Sequence, residues 1–269
     1  MITPVSKRLV ALAMLVAVAA SACTGGTLAP ASSAATQSNP PSTAPSASDP
    51  ATSQVATSAE TLTYRCSKGD GQLNGAGSTF IFPLLSKMGE DYNTKCGVKL
   101  NYQSIGSGGG VKGWTENTVD FGASDAFLKD TEIQAAAAKG EPVEIPVTFG
   151  AVVVAYNLKG LAAPLKMTPD IIAGIFLGKI VKCNDAAIAT ANPGVTLPDS
   201  DISVVHRSDG SGTTSIFTKY LTAVSPDWVT TVGGGDKTKS AGKTVEWPTG
   251  LGASGNEGVT QGIAQTDGG

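Results

Sequence analysis

HRSDGSGTT, residues 206–214, sets an arginine, an aspartate, small hydroxyls and two glycines between two contrasting runs. Upstream, ISVV (202–205) reads as a short buried strand; downstream, Ile216, Phe217, Tyr220 and Leu221 recur at helical spacing. The stretch is therefore a strand-to-helix junction, the repeating joint of an α/β fold. A helix N-terminus offers unpaired N–H groups and the positive end of the helix dipole, and glycines let an anion approach the backbone. Arg207 adds a planar, permanently charged fork that matches carboxylate or phosphate oxygens. The segment has the chemistry of half an oxyanion site.

Working outward, junctions of the same kind occur upstream. NGAGSTF (74–80) precedes a helix whose apolar positions include Leu84, Leu85, Met88 and Tyr92, with Pro83 in the first turn, where proline is tolerated. GSGGG (106–110) follows the strand-like KLNYQSI (99–105), and DFGASDA (120–126) places Asp125 among small residues. Any one of these is a plain turn by itself; their recurrence at strand-to-helix joints points to one shared site. TPDIIAGIFLG (168–178) repeats the helical grammar: Thr168 caps, Pro169 starts, Ile171, Ile172, Ile175 and Phe176 face inward, and Gly178 stops. VTFGAVVVAYNL (147–158) reads as a long apolar strand. Such alternation predicts an α/β architecture with mostly parallel sheet.

NGAGSTF, QSIGSGGGVK (103–112), VDFGASDA (119–126), LGKI (177–180), HRSDGSGTT and WPTGLGASGNEGV (247–259) occur in that order. In this they resemble bacterial phosphate-binding proteins, the extracytoplasmic receptors of the ABC-type phosphate importer, from about residue 70 to the end. The resemblance implies a two-lobed periplasmic-binding-protein fold of type II, with residues 61–150 in the first lobe and 151–269 in the second. The first crossing between lobes then falls near residues 146–151. It also implies inorganic phosphate as ligand, permease subunits as partners, a monomer, and neither catalysis nor a cofactor. Relatives continue beyond TDGG (266–269), so the fold is expected to be incomplete at the C-terminus, with an exposed sheet edge and uncovered apolar surface.

Carried over residue by residue, the family's phosphate ligands fall on Thr79 and the N–H of Phe80, on Ser107, on Asp125, and on Arg207, Ser211, Gly212 and Thr213. Thr79, Ser107, Ser211 and Thr213 supply hydroxyls, and helix-start N–H groups supply further donors. Asp209, two residues after Arg207, is expected to hold the guanidinium in place. Asp125 is expected to discriminate. Phosphate carries a hydrogen at neutral pH and donates it to a carboxylate; sulfate has none to give, and sites of this kind reject the deficient analogue by roughly 10⁴–10⁵-fold.

The ends and composition narrow the class further. Lys7 and Arg8, the apolar run 9–20 and SAC (21–23) read as an export signal, and Cys23 as the acylated first residue of a lipoprotein, although Ala20 stands where that signal most often carries leucine. The run is shorter than the ~20 apolar residues of a membrane span. Residues 24–60, built almost entirely from Ser, Thr, Ala, Pro, Gly, Gln and Asn, are expected to be a disordered tether between a lipid anchor and the folded body. Cys66 lies before the first core strand and Cys96 after the following helix, which runs back beside it, so a Cys66–Cys96 disulfide is expected in an exported chain. Cys183 is then a buried free thiol, where the family commonly has an aromatic residue, and a single histidine with scattered cysteines offers no metal-site spacing.

A net charge of -3 leaves no basic field for nucleic acid. His206, beside Asp209 and Ser211, invites a catalytic-triad reading and hence a phosphate-ester hydrolase. Neighbours on a strand point to opposite faces, however, so His206 and Arg207 should diverge, and no G-x-S-x-G elbow is present there. GKT (242–244) lacks the glycine that a nucleotide phosphate loop needs, and GLGASGNEG (250–258) reads as turns.

Overall fold

The first sheet is built around β1 (Gln72–Gly77), which pairs in parallel with β2 (Lys99–Ser104) on one side and β3 (Phe121–Ala123) on the other. Gly77 lies opposite both Ser104 and Ala123, so the three strands end level and their outgoing loops lie side by side. These relations come from a computed structural model that describes Cys66 and residues 71–136, 140–161 and 164–269. The expected signal, Cys23 and the tether at 24–60 lie outside the described residues.

Parallel pairing requires crossovers, supplied by α1 (Phe82–Cys96) and α2 (Gly106–Thr115). Pro83 occupies the first turn of α1, and Gly97 ends the helix at φ 73°, its N–H returning to the Asn93 carbonyl. The buried face differs from the one expected. Leu85 and Gly89 point inward, whereas Leu84 and Met88 are 39% and 46% exposed. The reason is Gly89, which lets α1 lie directly on Leu100 of β2; even a Cβ there would stand 3.0 Å from that side chain. α2 approaches closer still, since a Cβ on Gly110 would fall 2.5 Å from the Cα of Gly77. Phe82, Tyr102 and Phe121 stack in a row across this layer at 6.2 and 6.1 Å. Cys66 and Cys96 are bridged, with Cα atoms 5.2 Å apart.

α3 (Asp130–Ala136) follows. The strand expected at 147–158 pairs with no other strand among the described residues, and the stretch 140–158 has no regular secondary structure. Its apolar side chains face solvent: Val147, Phe149 and Val153 are 52%, 97% and 75% exposed. An apolar run forms a strand only where a neighbouring backbone is placed to pair with it. At Asn157 the partners are instead Gly268 and Gly269, whose backbone groups bond Asn157 at 3.1 and 2.8 Å.

Beyond it come α4 (Pro169–Phe176), capped by the Thr168 hydroxyl accepting from the Ile171 N–H, and α5 (Ala186–Ala191), capped by Asp185. The second sheet pairs β4 (Val205–Arg207) in parallel with β5 (Leu251–Ala253). β4 starts at the end of the expected ISVV strand, because Ile202 and Ser203 give their N–H groups to Val181 and Gly268. α6 (Gly212–Val224) and α7 (Pro226–Gly233) follow β4, and α8 (Gly255–Gln265) follows β5. Residues 250–258 are thus a strand and a helix start, correcting the reading as turns: Gly250 and Gly255 have positive φ, but the residues between them run extended beside β4.

α6 also turns differently from its apolar spacing. Ile216 and Tyr220 are 42% and 37% exposed, while Thr214, Ser215, Thr218 and Leu221 are buried. Thr218 can be buried because its hydroxyl donates to the Thr214 carbonyl and accepts from the Gly242 N–H. The core of this half is Ala173, Leu221 and Trp228 with Phe176, Phe217 and Trp247 against them. Trp228 is fully buried and its indole N–H reaches the Ser240 carbonyl at 2.8 Å. Cys183 is buried and free, accepting from the Ser200 hydroxyl at 3.4 Å. No helix among the described residues is long and apolar enough to cross a membrane.

Candidate anion-binding site

Strands of parallel sheets deliver their carboxyl ends to one side, and ligands of open α/β sheets collect there. Here the ends of β1, β2, β3, β4 and β5 bring together Thr79, Ser107, Asp125, Arg207 with Ser211, and Asn256. Contacts across the two sheets are direct. The Gly108 N–H donates to the Gly210 carbonyl at 2.8 Å, and Arg207 Nη1 reaches Thr79 Oγ1 at 3.3 Å.

Arg207 is buried, 8% exposed, and all three guanidinium nitrogens have partners. Asp209 takes two parallel bonds, from Nε at 2.6 Å to Oδ1 and from Nη2 to Oδ2. Burial alone would raise the Asp209 carboxyl, but the bonds from Arg207 and from the Gly255 N–H outweigh it and hold it below the usual carboxylate range. The Asp209 carboxylate thus lies along one edge of the fork. Nη1 then donates to Thr79 Oγ1, to Ser211 Oγ at 3.2 Å and to Asn256 Oδ1 at 2.9 Å.

Ser211 caps α6: its hydroxyl accepts from the Thr214 N–H at 3.1 Å. Gly212 is the first residue of α6 and is jammed against the opposite half. A Cβ there would lie 2.6 Å from both Asp125 Cβ and Ser107 Oγ, so only glycine lets the helix start reach Asp125. Thr213 sits half-buried in the same first turn.

Asp125 Oδ2 accepts from the Ser107 hydroxyl at 3.2 Å, and Oδ1 accepts from the Ser78 hydroxyl. Ser107 is fully buried and its oxygen also receives the Asp125 N–H. Phe80 places its N–H on Ser78 Oγ at 3.1 Å, and its ring is 41% exposed. Burial, and secondarily the Asp125 charge, raise the Tyr102 phenol well above its ordinary value; its hydroxyl donates to the Ser78 carbonyl at 2.9 Å. His206 does diverge from the cluster: its ring stacks on Trp247 with centroids 4.9 Å apart.

Sequence reasoning missed two members. Ser78, one residue before Thr79, reads in sequence as an ordinary loop serine. Asn256, hidden in the stretch read as turns, gives its N–H to Thr79 Oγ1 at 3.2 Å while its side chain accepts from Arg207. The signal for Asn256 was available, since GASGN repeats the small-residue strand-to-helix pattern of HRSDGSGT.

Hydroxyls, an arginine and a carboxylate gathered at the ends of two parallel sheets fit a class of ligand-binding α/β proteins, and the chain belongs to the PBP superfamily, whose domain model matches residues 41–269. Among individual relatives, the phosphate-binding protein PstS of Xylella fastidiosa (strain Temecula1) is 46% identical over 198 residues, covering 73% of this chain and 51% of that protein. PstS of Pasteurella multocida (strain Pm70) is 47% identical over 188 residues, covering 70% and 52%. The chain thus spans about half the length of the curated relatives it matches. A solved high-affinity periplasmic phosphate-binding protein (PfluDING), bound with phosphate, superposes with a TM-score of 0.50 at 22% identity, covering 73% of this chain and 54% of that one. It shows the fold, the type II periplasmic-binding architecture.

Proposed function

We propose that this chain is an extracytoplasmic receptor that captures inorganic phosphate between two lobes and hands it to the permease of an ABC-type importer. The observation that carries this reading is the meeting of Arg207, Thr79, Ser107, Ser211 and the start of α6 with the Asp125 carboxylate at the ends of five strands. Arg207 neutralises anionic oxygens; the hydroxyls and the N–H groups of Gly212, Thr213 and Phe80 donate to them. Asp125 accepts, so a ligand oxygen facing it must bring its own proton. Monohydrogen and dihydrogen phosphate satisfy that requirement and sulfate does not. The names of the relatives, phosphate-binding proteins, agree with this chemistry.

The lobes are residues 61–150, carrying the first sheet, and 151–269, carrying the second. Export, acylation of Cys23, a tether at 24–60 and a monomeric state belong to the same proposal. The test is isothermal titration of the chain with phosphate, with sulfate as control. Saturable phosphate binding with sulfate ignored is expected, and Arg207→Ala should weaken it by about 100-fold or more, the scale of a buried charge-assisted contact. A folded chain that takes up no phosphate would overturn the reading.

A further inference from the structure

Away from the anion cluster, a second tie joins the two sheet-bearing halves. Lys243, in the loop between α7 and β5, sends its ammonium to Glu132 of α3, with Nζ 2.8 and 2.9 Å from the two carboxylate oxygens. The Lys243 side chain is 9% exposed and that of Glu132 23%. Glu132 is also fixed from its own side, because its Oε2 accepts the Lys129 N–H at 2.8 Å. The backbone of Lys243 faces the other way. Its carbonyl accepts the Ser211 N–H at 2.9 Å, and the preceding Gly242 is pinned to Thr218 of α6. A single residue therefore connects the far half to the residue that caps α6 and bonds Arg207.

We propose that Lys243 is a positioning residue for the anion site: clasped by Glu132 across the cleft, it holds Ser211 in place and keeps the two halves closed around the ligand. This rests on the phosphate reading given above. Both charges are largely removed from water, and a buried pair broken by loss of one partner leaves the other uncompensated. Such pairs act on dissociation more than on association. The pair touches neither Asp125 nor Arg207, so it governs how long the ligand stays without choosing which anion enters.

The experiment is stopped-flow binding of inorganic phosphate to the full chain and to Glu132→Gln, Lys243→Met, Lys243→Arg and the charge-exchanged pair Glu132→Lys with Lys243→Glu. Loss of either charge should speed phosphate release by about tenfold or more while association changes by less than about twofold. Lys243→Arg and the exchanged pair should recover most of the residence time, which a loss of packing alone would not predict. Parental release rates in Glu132→Gln, the near-isosteric variant, would overturn the latch even if Lys243→Met failed to fold. If the parent chain bound no phosphate, the receptor reading would fail separately. X-ray scattering would then judge the latch alone: a larger radius of gyration in Glu132→Gln supports it, and an unchanged one refutes it.

Discussion

On the proposed phosphate reading, Asp125 is the side chain that decides which anion is accepted. Its two oxygens accept from Ser78 and Ser107, and Gly212 is held against it too closely for any larger residue. Asp125→Asn keeps the shape but turns one acceptor into an amide donor. A ligand without a proton then meets a favourable contact where it met repulsion. We expect the preference for phosphate over sulfate to shrink by about 100-fold, with phosphate affinity reduced far less. Competition titration checks this, and equal rejection of sulfate by the variant would sink the proton-acceptor role. At this scale the sequence was most informative where chemistry is unusual. An arginine and an aspartate two apart in a glycine–serine loop announce a held charge. A second serine at 78 or an asparagine at 256 does not, because such residues also make ordinary turns.

Among the elements, caps and crossovers were legible and buried faces were less so. Thr168 and Pro169 opened α4 as their chemistry required. In α1 and α6 the buried face was set by glycine, serine and threonine, whose smallness permits close approach, so apolar spacing pointed partly at solvent. The segment at 147–158 has strand chemistry without a strand partner among the described residues, a property that depends on distant backbone and cannot be read locally. The helices of the second half depend on Trp228, which fills the space beneath Leu221 and Trp247 and hydrogen-bonds the Ser240 carbonyl. Trp228→Ala should cost about 3–5 kcal/mol of stability. Denaturant unfolding followed by circular dichroism measures it, and a loss under about 1 kcal/mol would show that the cluster collapses around the gap.

For the whole molecule, the depressed carboxyls set the response to acid. Burial would raise Glu132, but the hydrogen bond and charge of Lys243 and the Lys129 N–H hold it below its ordinary value; Asp209 behaves alike beside Arg207. Each carboxyl therefore contributes stability that is complete above its unfolded pKa of about 4 and is lost as pH falls through the lower folded value. The melting temperature should be level above about pH 5 and drop below about pH 4, with a shallower drop in Glu132→Gln and Asp209→Asn. A scan showing identical acid slopes in parent and variants would assign the loss to other groups.

The bond from the Asn256 N–H to Thr79 joins residues 177 positions apart, and that from Arg207 to Thr79 spans 128. Contacts of that range close long loops between described residues, and their entropic cost is met only after local structure has formed. Recognition is accordingly a property of the finished chain, since no short contiguous peptide contains both rims of the cluster. An anion that fits there selects assembled molecules from partly folded ones and, by mass action, draws the population toward them. A ligand bound there would double as a quality check on the polypeptide that carries it.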